Sequence, residues 1–402
     1  MSALANTATP DAVRRAKYAV FAAFVSSGGL FATWASRIPE SIRELDVSTS
    51  RFGVLLLFMS IGALAAMPLL GWIVAQVGVV RAIAGAAVVG AAGIILAGIG
   101  VSVLAEQWVV GLGLMVGGLG VGTWDAAMNL AGAEVEQQLG TTVMPHFHAA
   151  FSGGTVVSAL IGAGASAAGV SIALHLTVMS ALMALAVLVT VRPIGSVTQH
   201  SAPTSEAPQP KKTARSAWGE RRTLLIGVVT MVAAFTEGTA NDWIAEAFVS
   251  GHDVPVWAGT LAFAMFLSFM TAGRLIGTSL LDRYGRVPVL RIAFGGAVVG
   301  SLMVVFGTTA IAYAGVAVWG VGVSLGFPVG MSAAADDPER APARVAVVST
   351  IGYTAFLAGP PLLGFLGDHY GILRALLVVG AAVLLALVCL PAVREPERNE
   401  LR

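Results

Sequence analysis

Twelve stretches of the chain are apolar over about the 20 residues that a helix needs to cross the hydrocarbon core of a membrane. They run 17–35, 52–75, 79–101, 108–130, 147–169, 172–191, 224–249, 256–281, 287–309, 310–333, 345–367 and 372–393, with polar residues gathered between them. Each predicts a spanning helix; the ninth and tenth are separated by almost nothing. Residues 193–222, between the sixth and seventh spans, are rich in Pro, Ser, Thr, Gln, Lys and Arg, a composition that cannot bury a core and predicts a flexible linker. The expected fold class is therefore all-α integral membrane, with twelve transmembrane helices in two six-helix bundles, 1–192 and 223–402, joined by a cytoplasmic linker over 193–222.

Composition removes the soluble alternative. Hydrophobic residues make up 56% of the chain, charged residues 11%, and the mean hydropathy is +0.84, against roughly 25% charged residues in a soluble domain. The 48 glycines suit helices that approach closely in lipid, where small residues allow tight backbone packing. A single cysteine, Cys389, excludes a disulfide framework. The first 16 residues are polar and the following apolar run is long enough to remain as a span, so no cleavable signal peptide is expected.

Charge sets the expected orientation. Placing the N-terminus in the cytoplasm puts 18 of the 23 Lys and Arg on that side, four outside (Arg37, Arg43, Arg51, Arg374) and Arg274 within a span. The bias of basic residues toward cytoplasmic loops then predicts a multi-pass protein of a bacterial-type inner membrane with both termini cytoplasmic. The halves also repeat. Ser27 to Trp34 in span one aligns with Thr236 to Trp243 in span seven, with Gly and Trp in register, and Gly162 to Gly169 aligns with Gly364 to Gly371. Two six-span halves in one orientation are the pattern of a secondary transporter whose site lies between repeats near the midplane.

The loop after span eight, Leu281-Asp282-Arg283-Tyr284-Gly285-Arg286-Val287-Pro288, is similar to the cytoplasmic motif of the major facilitator superfamily. The loop after span two keeps the glycines Gly71 and Gly78 but has Ala75 and Gln76 where that pattern has Asp and Arg. In span four, Gly118-Leu119-Gly120 is followed by Asp125 and, four positions later, Asn129, which resembles the fucose–proton symporter branch. Together with Met144 to Gly154, the chain is closer still to the YbjJ-like inner-membrane proteins. The fucose branch also carries an acidic residue in span one and this chain has none there, so the resemblance does not extend to a named sugar. The superfamily resemblance further implies a cytoplasmic gate in which Glu134 and Glu136 meet the basic loop that carries Asp282, Arg283 and Arg286 when that side closes. Solvated helix ends are the plain alternative. On the same comparison Arg344 lacks its usual acid, since Ala75 stands in its place.

Three carboxylates, Asp125, Glu237 and Asp242, stand out within spans. Each costs about 2.5–3.5 kcal/mol on insertion scales, so one that persists faces a cavity or a partner. Asp125 and Asn129 project from one helical face, and a carboxyl group in a low-dielectric setting loads and releases protons near neutrality. Asp125 is thus a candidate for proton coupling, its alternative being a structural hydrogen-bond hub. Glu237 is the counterpart candidate, with no cation near it in sequence and Asn241 one turn on. Asp242 is rotated about 140° from Glu237. Trp124, Asn129, Asn241, Asp242 and Trp34 are the candidate cavity residues; Trp34 and its repeat-mate Trp243 have outer-interface anchoring as the alternative, and Asp242 local capping. His148, with His146 at the start of span five, is a candidate proton relay. The two histidines point to different faces and no third ligand is close in sequence, so no metal site is expected.

The glycine run 117–120 lies inside a span, follows no strand and lacks Gly-Lys-Ser/Thr, which excludes a phosphate loop and ATP as the energy source. No enzyme activity, cofactor or nucleic-acid partner is expected. The expected function is alternating-access transport of a small solute, as proton-coupled symport of a sugar-like or other small polar molecule, by a monomer whose partners are its substrate, protons and the bilayer. The alternative readings are proton-driven efflux of drugs or amphiphilic cations, and a non-transporting receptor on the same fold.

Overall fold

A computed structural model describes residues 9–141, 143–198, 217–337 and 339–395. Among them there is no strand, and twelve helices are long and apolar enough to cross a membrane. They are α1 Pro10–Glu44, α2 Thr49–Val77, α3 Val79–Leu104, α4 Gln107–Leu139, α5 Met144–Ala167, α6 Ile172–Val197, α7 Arg221–Gly251, α8 Val256–Tyr284, α9 Arg286–Phe306, α10 Thr309–Ala334, α11 Ala341–Tyr370 and α12 Ile372–Val393. Lys211, Lys212 and Arg215 of the expected linker lie outside the described residues.

The described residues form two compact units, one within Met1–Asp46 and Phe58–Ser205, the other within Val47–Leu57 and Glu206–Arg402. The first turns of α2 therefore belong with the second unit, which the bundle boundaries read from sequence do not anticipate. Side chains explain the assignment. The Thr49 hydroxyl donates to Asp368 Oδ1 at 2.7 Å and lies 3.0 Å from Gly364 O. A Cβ at Gly53 would sit 2.5 Å from Pro360 O, so only hydrogen fits there.

Local chemistry sets the helix ends. Gly78 and Gly285, the glycines shared by the matching loops after α2 and α8, each have φ +78°, a region costly for any residue with a Cβ. Both therefore turn the chain directly into the next helix. Glu136, near the end of α4, accepts from the backbone N–H of Val143 and Met144 at 2.6 and 2.7 Å, satisfying donors at the start of α5 that have no intrahelical partner.

Two of these helices are broken, the second of them within a span expected to be continuous. The first turns at Ser36–Arg37 before a short segment, Ile38–Glu44. The turn takes Arg37 out of the outer-loop role expected for it: it is 2% exposed, pairs with Glu40 through Nε at 2.5 Å and donates from Nη2 to Val170 O. The other break divides α10 into Thr309–Val323 and Gly326–Ala334. Pro328 has no N–H to give to the carbonyl four residues back, so Ser324 O is left available for another donor.

Backbones approach most closely where the glycines lie. A Cβ at Gly120 would stand 2.2 Å from Gly90 N, and one at Gly93 2.1 Å from Gly117 N, so α3 and α4 touch backbone to backbone. The second unit repeats the device between α9 and α10, where a Cβ at Gly315 would be 2.7 Å from Gly300 O. Gly120→Val is expected to force α3 and α4 apart at a cost of about 1–3 kcal/mol or more, seen as a loss of monodisperse protein in size-exclusion chromatography. An unchanged profile and melting temperature would contradict the packing argument.

Candidate functional site

In the first unit the site is built on α4. Gly118 and Gly122 face α2, where added Cβ atoms would stand 2.0 Å from Met59 O and 2.7 Å from Ala63 O. Trp124 turns into the interior, 0% exposed, while the next residue, Asp125, is exposed. Asn129 Nδ2 donates to Asp125 O at 2.8 Å and reaches Asp125 Oδ1 at 3.4 Å. Among the described residues no cation lies within ion-pair distance of Asp125. One turn thus carries an uncompensated carboxylate and the amide that orients it.

In the second unit Glu237 has a cation after all. Arg274 Nη2 donates to both Glu237 oxygens at 2.9 Å, a charge-assisted contact stronger than one between neutral groups. The guanidinium is also held at Nε by Ser324 O, 3.3 Å away, the carbonyl released by the break in α10. Gly273 makes room for this, since a Cβ there would be 2.5 Å from Ser324 Oγ. The side chains keep 33% and 20% exposure for Arg274 and Glu237, so the pair is reachable by a solute.

Asn241, one turn beyond Glu237, is partly buried, and its Oδ1 has no hydrogen-bond partner among the described residues. Asp242 is also partly buried. Trp34 and Trp243 are 1% and 0% exposed. Anchoring at a lipid–water interface requires an accessible ring, so that reading of the two tryptophans is corrected: both are core residues.

The remaining expected sites are dispersed. His148 is exposed, with its ring edge-on to Phe24 at 5.3 Å, and His146 is exposed as well. Of the expected gate, Glu134 accepts from Gln138 at 3.1 Å and Glu136 is the α5 cap already described. Asp282 is exposed, and Arg283 lies over the Tyr284 ring at 5.2 Å. Arg286 is engaged inside its own unit, with Asp336 Oδ1 at 2.8 Å and Ser332 Oγ at 2.9 Å. Arg344 does not lack an acid: Glu220 is 2.7 Å and Asp337 3.4 Å away.

Two site residues escaped the sequence reading. Arg274 was visible as an in-span cation, but its 37-residue separation from Glu237 hid the pairing. Glu246, four residues after Asp242 in α7 and only 6% exposed, lies close enough to the end of its span to pass for a helix-end acid. The i, i+4 spacing from Asp242 was the available signal.

A family model described as the Major Facilitator Superfamily matches residues 19–341 and 243–402. The chain belongs to that family. It is 30% identical over 386 residues to the transporter y4wD of Sinorhizobium fredii, covering 94% of this chain and 97% of that one. Among solved structures, a nucleoside transporter, NupG, superposes with a TM-score of 0.77 at 15% identity, over 95% of this chain and 99% of its own. The E. coli fucose–proton symporter does so with a TM-score of 0.60 at 13% identity, over 94% and 98%. At those identities the superpositions establish the fold. This member of the superfamily is thus a multi-pass membrane transporter and not an enzyme.

Proposed function

We propose that the protein carries a small hydroxyl-rich solute, of the sugar or nucleoside type, in symport with protons. It works by alternating access, as a monomer in a bacterial inner membrane with both termini in the cytoplasm. The observation that carries the reading is the contrast between the two in-span carboxylates. Among the described residues Asp125 has an amide and no cation beside it, so it gains and loses a proton without breaking an ion pair. Glu237 is bound at both oxygens by Arg274, and protonating it means disrupting that contact first.

Asp125 is accordingly the primary proton site, with Asn129 setting its orientation. Glu237 and Arg274 recognise the solute, and Glu237 joins the coupling when the solute displaces the guanidinium. A carboxylate that accepts and a guanidinium that donates, side by side, match a pair of neighbouring hydroxyls. The free Asn241 Oδ1 adds an acceptor one turn away. At Glu237 the same geometry disfavours an organic cation, because that carboxylate already has Arg274 as its counter-charge. The two solute types are those named for structural relatives, a nucleoside transporter and a fucose–proton symporter.

The test uses purified protein in proteoliposomes loaded with a pH-sensitive dye. Adding a panel of sugars and nucleosides outside is expected to acidify the lumen for the transported solute, in proportion to its uptake. Uptake with no accompanying proton movement would refute symport.

A further inference from the structure

Glu246 lies on a face of α7 that the proposed solute site does not use. At 100° per residue, Thr239, Asp242, Glu246 and Ser250 fall within about 80° of one another, while Glu237 points to the opposite side. The stripe extends about 16 Å along the helix, roughly half the hydrocarbon thickness. It opens at its Ser250 end into a cavity of about 530 Å³ whose lining includes Glu246, Ser250, Asp368, Tyr370 and Arg374. Toward the other end, Thr239 is 3% exposed and its hydroxyl has no hydrogen-bond partner among the described residues. A buried polar atom without a protein partner is a site for ordered water.

From this geometry we infer that the stripe is a proton conduit leading from the cavity, through Glu246, to Asp242. The inference rests on the proton-coupled reading and assigns the second unit its own proton-loading group. A proton from cavity water adds to a carboxylate oxygen of Glu246. It passes along the helix face to Asp242, one turn away and within reach through a bridging water, and Glu246 returns to its ionised form to accept the next.

The groups facing this route come from the helices that pack on α7. From α11, Asp368 accepts from Thr49 Oγ1 at 2.7 Å, which engages it locally, and Tyr370 lines the wall. From α12, Arg374 is the cation of the lining. On α8, Arg274 is turned to the Glu237 face. Ser250 Oγ donates to Glu246 O at 2.9 Å, and Ser250 itself lines the cavity.

The experiment requires no solute. Purified protein is subjected to a rapid drop in pH while protonated carboxyl groups are followed by infrared absorption, the Asp242 band being identified by its loss in Asp242→Asn. In Glu246→Gln the band is expected to appear at least tenfold more slowly with unchanged final amplitude, and Glu246→Asp is expected to restore the rate to within about threefold. Ser250→Leu, at an exposed position, closes the route from the cavity without altering charge and is expected to slow the band equally. It serves in place of Glu246→Gln if that variant does not fold. An unchanged rate in Glu246→Gln or Ser250→Leu, or no Asp242 band in the wild type, overturns the conduit. Because the readout is substrate-free, that failure is distinct from a failure of proton-coupled transport in proteoliposomes.

Discussion

Asp125→Asn is expected to abolish uphill accumulation of the solute while leaving its exchange across the membrane close to the wild-type rate. The substitution keeps the size of the side chain and its hydrogen bond with Asn129, but removes the group that takes up a proton. A proton moving down a potential of 100 mV releases about 2.3 kcal/mol, enough for roughly 50-fold accumulation at one proton per solute. That ratio should fall to one. Exchange involves no net proton movement and persists, because the neutral amide stands in for the protonated acid. Stability should change by no more than about 0.5 kcal/mol, as at other exposed positions. Counterflow and gradient-driven uptake, measured in the same proteoliposomes, check both halves of the expectation; accumulation that survives in the variant removes Asp125 from the coupling step.

The second large effect is expected at Arg274. Replacing it with Met leaves the Glu237 carboxylate in the membrane without its guanidinium and leaves Ser324 O without its donor. Removing one member of a fully buried pair costs about 3–5 kcal/mol. Here the partners retain 33% and 20% exposure, so solvent screening reduces the expected loss to about 1–3 kcal/mol in unfolding experiments in detergent. Glu237→Gln combined with Arg274→Met should recover more than half of it, since neither charge is then stranded, whereas solute binding should fall at least tenfold in both single variants and stay lost in the double. Stability restored without binding identifies a solute-recognising pair. If the double variant recovers binding too, the pair is a structural brace and the solute contacts lie elsewhere.

Much of the molecule was legible from its residues. Burial in lipid imposes one requirement on every span, about 20 apolar residues, and the chain meets it twelve times, with Gly78 and Gly285 marking equivalent turns in the two halves. The cost of a charge in that setting singled out Asp125 and Glu237 in the same way. The two helix breaks were less legible. Ser36–Arg37 falls just past the run 17–35, in a stretch that hydropathy reads as loop, whereas Ser324–Leu325 sits inside a run apolar enough to read as continuous, with only Pro328 as a hint. Trp34 and Trp243 were equally ambiguous, because an aromatic ring near a span end suits an interface as well as a core.

Hydropathy, charge bias and internal repetition are properties of the linear chain, and they determine the number of spans, the six-plus-six organisation and the candidate in-span acids. Partnership is different, because a guanidinium 37 residues from a carboxylate becomes its neighbour only when α7, α8 and the broken α10 pack together. Tertiary structure therefore decided that Glu237 is compensated by Arg274, while Asp125 has no such cation among the described residues. It also committed Arg286 and Arg344 to acids of their own unit, gave the first turns of α2 to the second unit, and opened a cavity onto Glu246. The physical reason is range: the cost of burying a group is paid residue by residue, whereas an ion pair or hydrogen bond acts over about 3 Å between atoms that only the folded chain brings together.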